Sequence, residues 1–463
     1  MVRKIFLLIL KVLLGLVVAV VLFLAVSIAP INRTPVQDTP VYAEMMMRMD
    51  SVWGEQQQPK FLSVGYSRVN LTPSRPVSLA GYGNRKGKRY TAVHDSIFVR
   101  TMVIDNGVRQ VAMVSADLLI IPPTVTSVLQ DKLPQNGYPF EDVYLGATHS
   151  HNSIGSWGEG VTEFLYGPYE DSIVQFIADK IILSIQEASA NKKNASIKFG
   201  VIPVANAVEN RLIDNGPMDS LMRVLEIHRE DSTKLLFMSY TAHATCLYSK
   251  DLELSRDYPG VLVDQMEQSG YTFAMFMAGA VGSHGCNPPE YGWSCTTWMS
   301  EQIQQAFENH KHELLPLSDS TLSMVRVPLL LPKSQAKISE GWRVRSWLFR
   351  AAFHEYPVYL SALQLGDVVL LGTPCDYSGE FNHTLDSYAG QRNLHATVTS
   401  FNGGYIGYVT PSQYFDVDHY ETRLMNWYGV GIGEYMTDCL KEFLDKSATR
   451  SSTNAPKTVK AEP

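Results

Sequence analysis

Two histidines one residue apart, His149 and His151, follow the apolar stretch Val143-Tyr144-Leu145. In extended backbone both rings point to one face, so the pair could share a metal ion. Alternatively, one binds the ion while the other handles protons or substrate. Such pairs also occur as ordinary polar contacts, so further ligands have to decide. His243, in Tyr240-Thr241-Ala242-His243-Ala244-Thr245, follows a second apolar stretch in the same way. Asp376, in Gly372-Thr373-Pro374-Cys375-Asp376, follows a third. Hydrolytic zinc sites use three or four nitrogen and oxygen ligands and keep a position for water. Two strand-end histidines and a carboxylate meet that requirement. The plain alternatives are a hydrogen-bonded core histidine and a turn-forming aspartate.

The elements that would position these groups are legible as period and punctuation. Ser96–Ile104 and Val111–Ser115 read as strands joined by a turn at Asp105-Asn106-Gly107. Pro122–Leu133 and Glu170–Ala188 carry helical spacing of apolar residues. Asp142–Gly146, Leu235–Ser239 and Val368–Leu371 read as buried strands, each running into a loop with histidine or carboxylate. Side chains at the ends of neighbouring strands can converge on one site. The predicted fold class is α/β (α+β), with mixed β-sheets flanked by helices.

The chain of 463 residues, 45% hydrophobic and 18% charged, has ordinary globular composition. A net charge of −7, without a long Lys/Arg run, excludes a general nucleic-acid binder. At the N-terminus Arg3 and Lys4 precede an apolar stretch from Ile5 to Ala29, broken only by Lys11 and Ser27. Its length suits a bilayer span better than a signal-peptide core. We expect an uncleaved anchor over residues 1–30, with the body on the extracytoplasmic side, periplasmic or extracellular. Cleavage after Ala25-Val26-Ser27 is the alternative. After Pro30, residues 31–60 read as a linker with Pro35 and Pro40 followed by a short helical stretch at Ala43-Glu44-Met45-Met46-Met47, 61–446 as one catalytic domain, and 447–463 as a disordered tail. The five cysteines include no CxxC pair, so a thiolate zinc site is not expected. Cys286 and Cys295 could pair in an oxidising compartment.

The order of these motifs resembles the neutral ceramidases, zinc amidases that split the N-acyl bond of ceramide. The resemblance rests on Val64-Gly65-Tyr66-Ser67, Leu79-Ala80-Gly81-Tyr82, Val114-Ser115-Ala116-Asp117, Thr148 to His151, the segment around His243 and the turn at Gly372 to Asp376. It continues through Asn402-Gly403-Gly404-Tyr405-Ile406-Gly407-Tyr408 to His419-Tyr420-Glu421. It implies Zn2+ held by His149, His243, Asp376 and Tyr408. It makes His151, Arg211 and Tyr420 catalytic or substrate-orienting groups and Asn287 a substrate-binding one. The implied substrate is ceramide or a related N-acyl lipid. A different amide or ester, or a non-catalytic binding protein that keeps the fold, remains the alternative. Two departures stand out. The family's acidic ligand is usually Glu where this chain has Asp376, and Asn287 lies at or near the place of a substrate-handling serine. The immunoglobulin-like C-terminal domain of the larger family members is expected to be absent. Trp342, Trp347, Leu348 and Phe349, with Arg343, Arg345 and Arg350, form a basic amphipathic stretch. It is expected to pack its aromatic face on the core, with a lipid entrance or membrane contact as the alternative.

Overall fold

Alternation along the buried strands gives each of them two working faces, and this dictates a layered body. In Val368–Thr373, Val369 and Leu371 join one core cluster while Val368 and Leu370 join another. The computed structural model, which describes residues 2–51, 58–354 and 356–454, stacks two mixed sheets between layers of helices. The larger sheet has nine strands and runs from Phe273–Ala278 at one end to Val143–Ala147 at the other. The smaller has four: Leu322–Pro328, Tyr359–Leu365, Val368–Thr373 and His395–Ser400. Between the sheets lie Met102, Met113, Phe237 and Met277 against Met324, Leu363 and Leu370. Helices Pro123–Gln135 and Asp171–Ala190 cover one part of the larger sheet, Asp257–Gln268 and Trp293–His310 another. The smaller sheet is covered by Asn382–Gly390 and Ile432–Asn454. The sequence-predicted strands and helices are all present, with ends displaced by only a residue or two.

The two ends of the large sheet approach each other, which brings distant loops together. Ser115, one strand in from Val143–Ala147, donates to the Phe276 carbonyl on the opposite edge at 2.5 Å. The two sheets are stitched at the same level by Tyr144 Oη with Thr399 Oγ1 at 2.6 Å and by Ser400 donating to Gly279 O at 2.8 Å. Loops that follow Val143–Ala147, Lys234–Tyr240 and Val368–Thr373 therefore open onto one region.

Val2–Ser27 forms one apolar helix, exposed from Arg3 to Val26. The short helical stretch expected after the linker is present and is built into the body. Pro40–Ser51 is helical, and its Met45 and Met49 are fully buried against the Ile432–Asn454 helix. That last helix runs to Asn454, into the stretch expected to be disordered, and residues 455–463 lie outside the described residues. The disulfide differs from the expected pairing: Cys246 joins Cys295, and Cys286 stays a thiol. Cys286 is drawn the other way, in a strand paired with Val208–Asn210, where its sulfur donates to His243 O at 3.0 Å.

Candidate metal centre

The Thr148–His151 loop leaves its strand through a kink rather than by extended alternation. His149 takes φ +63°, a left-handed conformation uncommon for a residue with a Cβ. The two rings therefore converge edge to face, with centroids 4.7 Å apart at 90°, instead of lying side by side as expected. Gly81 makes room for the turn, because a Cβ there would come within 2.5 Å of the His151 Cα. Beside them, Asp376–Tyr377 pairs in parallel with Tyr408–Val409, and the register sets Asp376 directly against Tyr408. One short ladder thus delivers the carboxylate and the phenol together, although they are far apart in sequence. Gly407 permits it: its φ is +84° and a Cβ would meet the Met425 carbonyl at 2.2 Å.

Four of the expected residues meet in one buried spot. His149 Nε2 lies 3.4 Å and His243 Nε2 lies 3.2 Å from Asp376 Oδ1. Tyr408 Oη is 3.1 Å from His243 Nε2. His151 Nε2 stands 3.2 Å from His149 Nε2. On their far sides His149 Nδ1 meets Leu119 O at 2.7 Å and His243 Nδ1 meets Val281 O at 2.8 Å. A carbonyl only accepts, so both Nδ1 atoms carry the hydrogen and both Nε2 atoms present lone pairs to the centre. Asp376 Oδ1 is buried there without a hydrogen-bond donor. Burial, then the nearby Arg211 and His149, push His243 down to about 3. Burial and the neighbouring His149 and His243 likewise hold His151 well below its ordinary value. Imidazole nitrogens and a carboxylate thus crowd together, with the Arg211 guanidinium 3.2 Å from His243 Nε2 at the side of the cluster. Such a donor set fits a divalent cation, and His149, His151 and His243 together have ligand atoms close enough to hold one.

Arg211 closes one side. Its Nε donates to the buried Glu421 at 2.7 Å, and its Nη2 reaches Gly282 O at 2.9 Å and Tyr408 Oη at 3.2 Å. Burial disfavours its charge, but Tyr420, Glu421 and Tyr408 around it keep its pKa raised. Tyr420 Oη lies 3.4 Å from Tyr408 Oη, and burial lifts its phenol to about 12. Asn287 is not gathered here: it is exposed, and its amide donates to Asn206 O at 3.3 Å. Two neighbours were not singled out from the sequence. Tyr405 donates to Asp376 Oδ2 at 2.6 Å, and Phe401 stacks on His149 with centroids 4.0 Å apart. Tyr405 lay within a quoted motif, but only the fold shows what its hydroxyl touches.

A cavity of about 510 Å³ opens beside the cluster. Tyr405 and Tyr166 line it on the Asp376 side, while Leu329, Phe349, Phe353 and Trp427 supply apolar wall.

Fold and site together define an α/β sandwich with a buried histidine cluster, able to hold a metal ion, at its strand ends. Residues 62–277 match the family described as neutral/alkaline non-lysosomal ceramidase, N-terminal. Among solved structures, neutral ceramidase from Pseudomonas aeruginosa is similar at 17% identity and a TM-score of 0.71, over 86% of this chain and 75% of that one. A ceramidase complexed with C2 is similar at 16% identity and a TM-score of 0.70, over 86% of this chain and 76% of that one. At such identities they show a shared fold. No curated protein matches the sequence. The match over residues 62–277 and the shared fold support a divergent member of the neutral/alkaline non-lysosomal ceramidase family.

Proposed function

We propose that this protein is a zinc-dependent hydrolase that cleaves the N-acyl amide bond of ceramide or a related N-acyl lipid, releasing a fatty acid and an amine. The observation that carries the reading is the convergence of His149 Nε2 and His243 Nε2 on Asp376 Oδ1, which is buried without a hydrogen-bond donor. His149, His243, Asp376 and Tyr408 are the proposed ligands. When bound, zinc polarises a carbonyl and brings the pKa of water towards neutrality.

The chain's own residues supply the rest. His151, neutral through burial and one ring away from His149, is placed to take a proton from the attacking water and pass it to the departing amine. Asp376 is less suited to that task, because its second oxygen already accepts the Tyr405 hydroxyl. Arg211, fixed by Glu421, and the protonated phenol of Tyr420 face charge developing on the carbonyl oxygen. The apolar cavity beside Asp376 suits an acyl chain. The exposed position of Asn287 bears on the alternative, a different amide or ester.

Val2–Ser27 is proposed as a retained anchor with the body outside the cytoplasm, and the Cys246–Cys295 disulfide supports an oxidising compartment. The deciding experiment is a panel of N-acylsphingoid, N-acylethanolamine and simple ester substrates with product identification and metal analysis. Release of fatty acid from N-acylsphingoids, abolished in His149→Ala with the fold intact, is the expected result. Undiminished turnover in His149→Ala refutes the site; turnover confined to esters or another amide refutes the substrate.

A further inference from the structure

The segment that leaves the apolar N-terminal helix is tied to the body at once. Ile28–Pro30 pairs antiparallel with Trp342–Val344. A helix C-terminus leaves its last carbonyls without partners and carries partial negative charge. Here donors from the body take them up. Arg345 N–H donates to Ser27 O at 2.8 Å, the Arg345 guanidinium to Ile28 O at 3.0 Å and Ala25 O at 3.4 Å, and the Trp347 indole to Val26 O at 2.8 Å. The Trp342–Phe353 region is therefore fixed at the point where the helix ends.

Its two faces do different things. Outward, Trp342 is 52% and Trp347 45% exposed, with Ile338 at 52% alongside and Arg343, Arg345 and Arg350 among them. No other tryptophan among the described residues is exposed to that degree. Inward, the Ser346–Phe353 helix turns Phe349 and Phe353 into the wall of the cavity whose far side is Tyr405, the partner of Asp376. Exposed Arg350 also lines that cavity, so the cavity reaches the surface on this side. Tryptophan prefers the headgroup level of a bilayer, and arginines beside it are drawn to anionic lipid.

We infer that residues 337–353 form a docking face seated on an anionic phospholipid surface, and that it holds the cavity against the bilayer. A lipid substrate then passes from the membrane along the Ser346–Phe353 helix to the site without exposing its chains to water. This rests on the reading of Val2–Ser27 as a retained membrane helix and deepens the proposed lipid hydrolysis.

The test uses the full chain in nanodiscs of phosphatidylcholine and phosphatidylglycerol, with and without bromine on the acyl chains. Bromolipid is expected to quench the wild-type tryptophan fluorescence. In Trp342→Phe/Trp347→Phe the quenched fraction should fall about twofold or more, because these rings sit at the interface. Equal quenching in both proteins overturns the docking face. An N-terminus beginning after Ser27 in the mature protein overturns the anchor and the proposal with it. A second pair of variants reads access: Trp342→Glu/Trp347→Glu should slow hydrolysis of a bilayer-embedded N-acyl lipid by about tenfold, leaving a water-soluble short-chain amide unaffected. Equal losses on both substrates overturn the route. A quenched face on a chain that hydrolyses no amide would leave docking standing and refute the amidase reading instead.

Discussion

Two buried triads of ligand-type side chains lie back to back: His149, His151 and His243, and Cys246, Cys286 and Cys295. In each the ligand atoms lie within 4.8 Å of one another, and a single bond, Cys286 Sγ to His243 O at 3.0 Å, joins the two. Their states differ completely. In the sulfur triad Cys246 and Cys295 satisfy each other and Cys286 has its carbonyl acceptor, so nothing there calls for an ion. In the imidazole triad the Nδ1 atoms of His149 and His243 are anchored outward, which turns their Nε2 atoms inward beside a carboxylate oxygen that has no donor. Closeness of ligand atoms is thus a poor criterion for a metal site. The informative quantity is how much electron-pair density remains without a positive partner.

The comparison breaks most visibly at His243. His243→Ala should strip the bound metal and lower amide hydrolysis by on the order of 10³-fold or more, since metal activation is worth several kcal/mol. Elemental analysis with steady-state kinetics checks it, and a variant that keeps metal and turnover would dissolve the distinction between the triads. A smaller effect should follow Tyr405→Phe, which frees Asp376 Oδ2 from its 2.6 Å bond while leaving the cavity wall aromatic. Loss of a group that orients a ligand typically costs about 10–100-fold in metal affinity or activity. Competition with a chelator measures it, and an unchanged affinity would show that Asp376 is held by the fold alone.

The layered fold was largely readable because its strands alternate and its helices keep their period. The Val143–Ala147, Lys234–Tyr240 and Val368–Thr373 strands were each visible as an apolar run ending in a polar loop. That these loops would share a site was legible only through motif order. The convergence depends on the large sheet closing on itself and on the Asp376–Tyr408 register, both long-range pairings with no local signature. The left-handed turn at His149 is equally silent in sequence, because the residue there is neither Gly nor Asn. The disulfide was misjudged for a related reason. Cys286 is the nearer of the two to Cys295 in sequence, but strand pairing turns its sulfur towards His243 O. The tie between Trp347 and Val26 joins residues more than three hundred positions apart, and no period records it.

On the sulfur side the expected change is one of stability. Cys246→Ser/Cys295→Ser opens a link across a sequence separation of 49 and should cost about 2–4 kcal/mol. Its metal content should stay that of the wild type. Chemical denaturation and elemental analysis on the same preparation check both halves, and loss of metal together with stability would mean that the triads act as one unit through His243 O.

The smallest expected effect lies in the floor of the sulfur triad. Asp257 is buried and accepts the backbone N–H groups of Cys246, Leu247 and Tyr258, the last at 2.6 Å. Burial raises its carboxyl to about 6, and those backbone donors pull it back only in part. A folded-state pKa above the unfolded value means that the folded protein binds more protons in that interval, so stability falls with rising pH. The contribution is therefore greatest below the unfolded value of 3.8 and is lost as pH rises through about 6. Asp257→Asn should remove this slope, so that stability no longer falls by the about 2–3 kcal/mol expected between pH 4 and 7 at ~1.4 kcal/mol per unit. Denaturant midpoints across that range test it. Parallel curves would show that the carboxylate stays ionised in the fold and that its three backbone donors outweigh its burial. In that case the sulfur triad rests on a fixed negative charge, and only its covalent bond distinguishes it from the charged floor beneath the histidines.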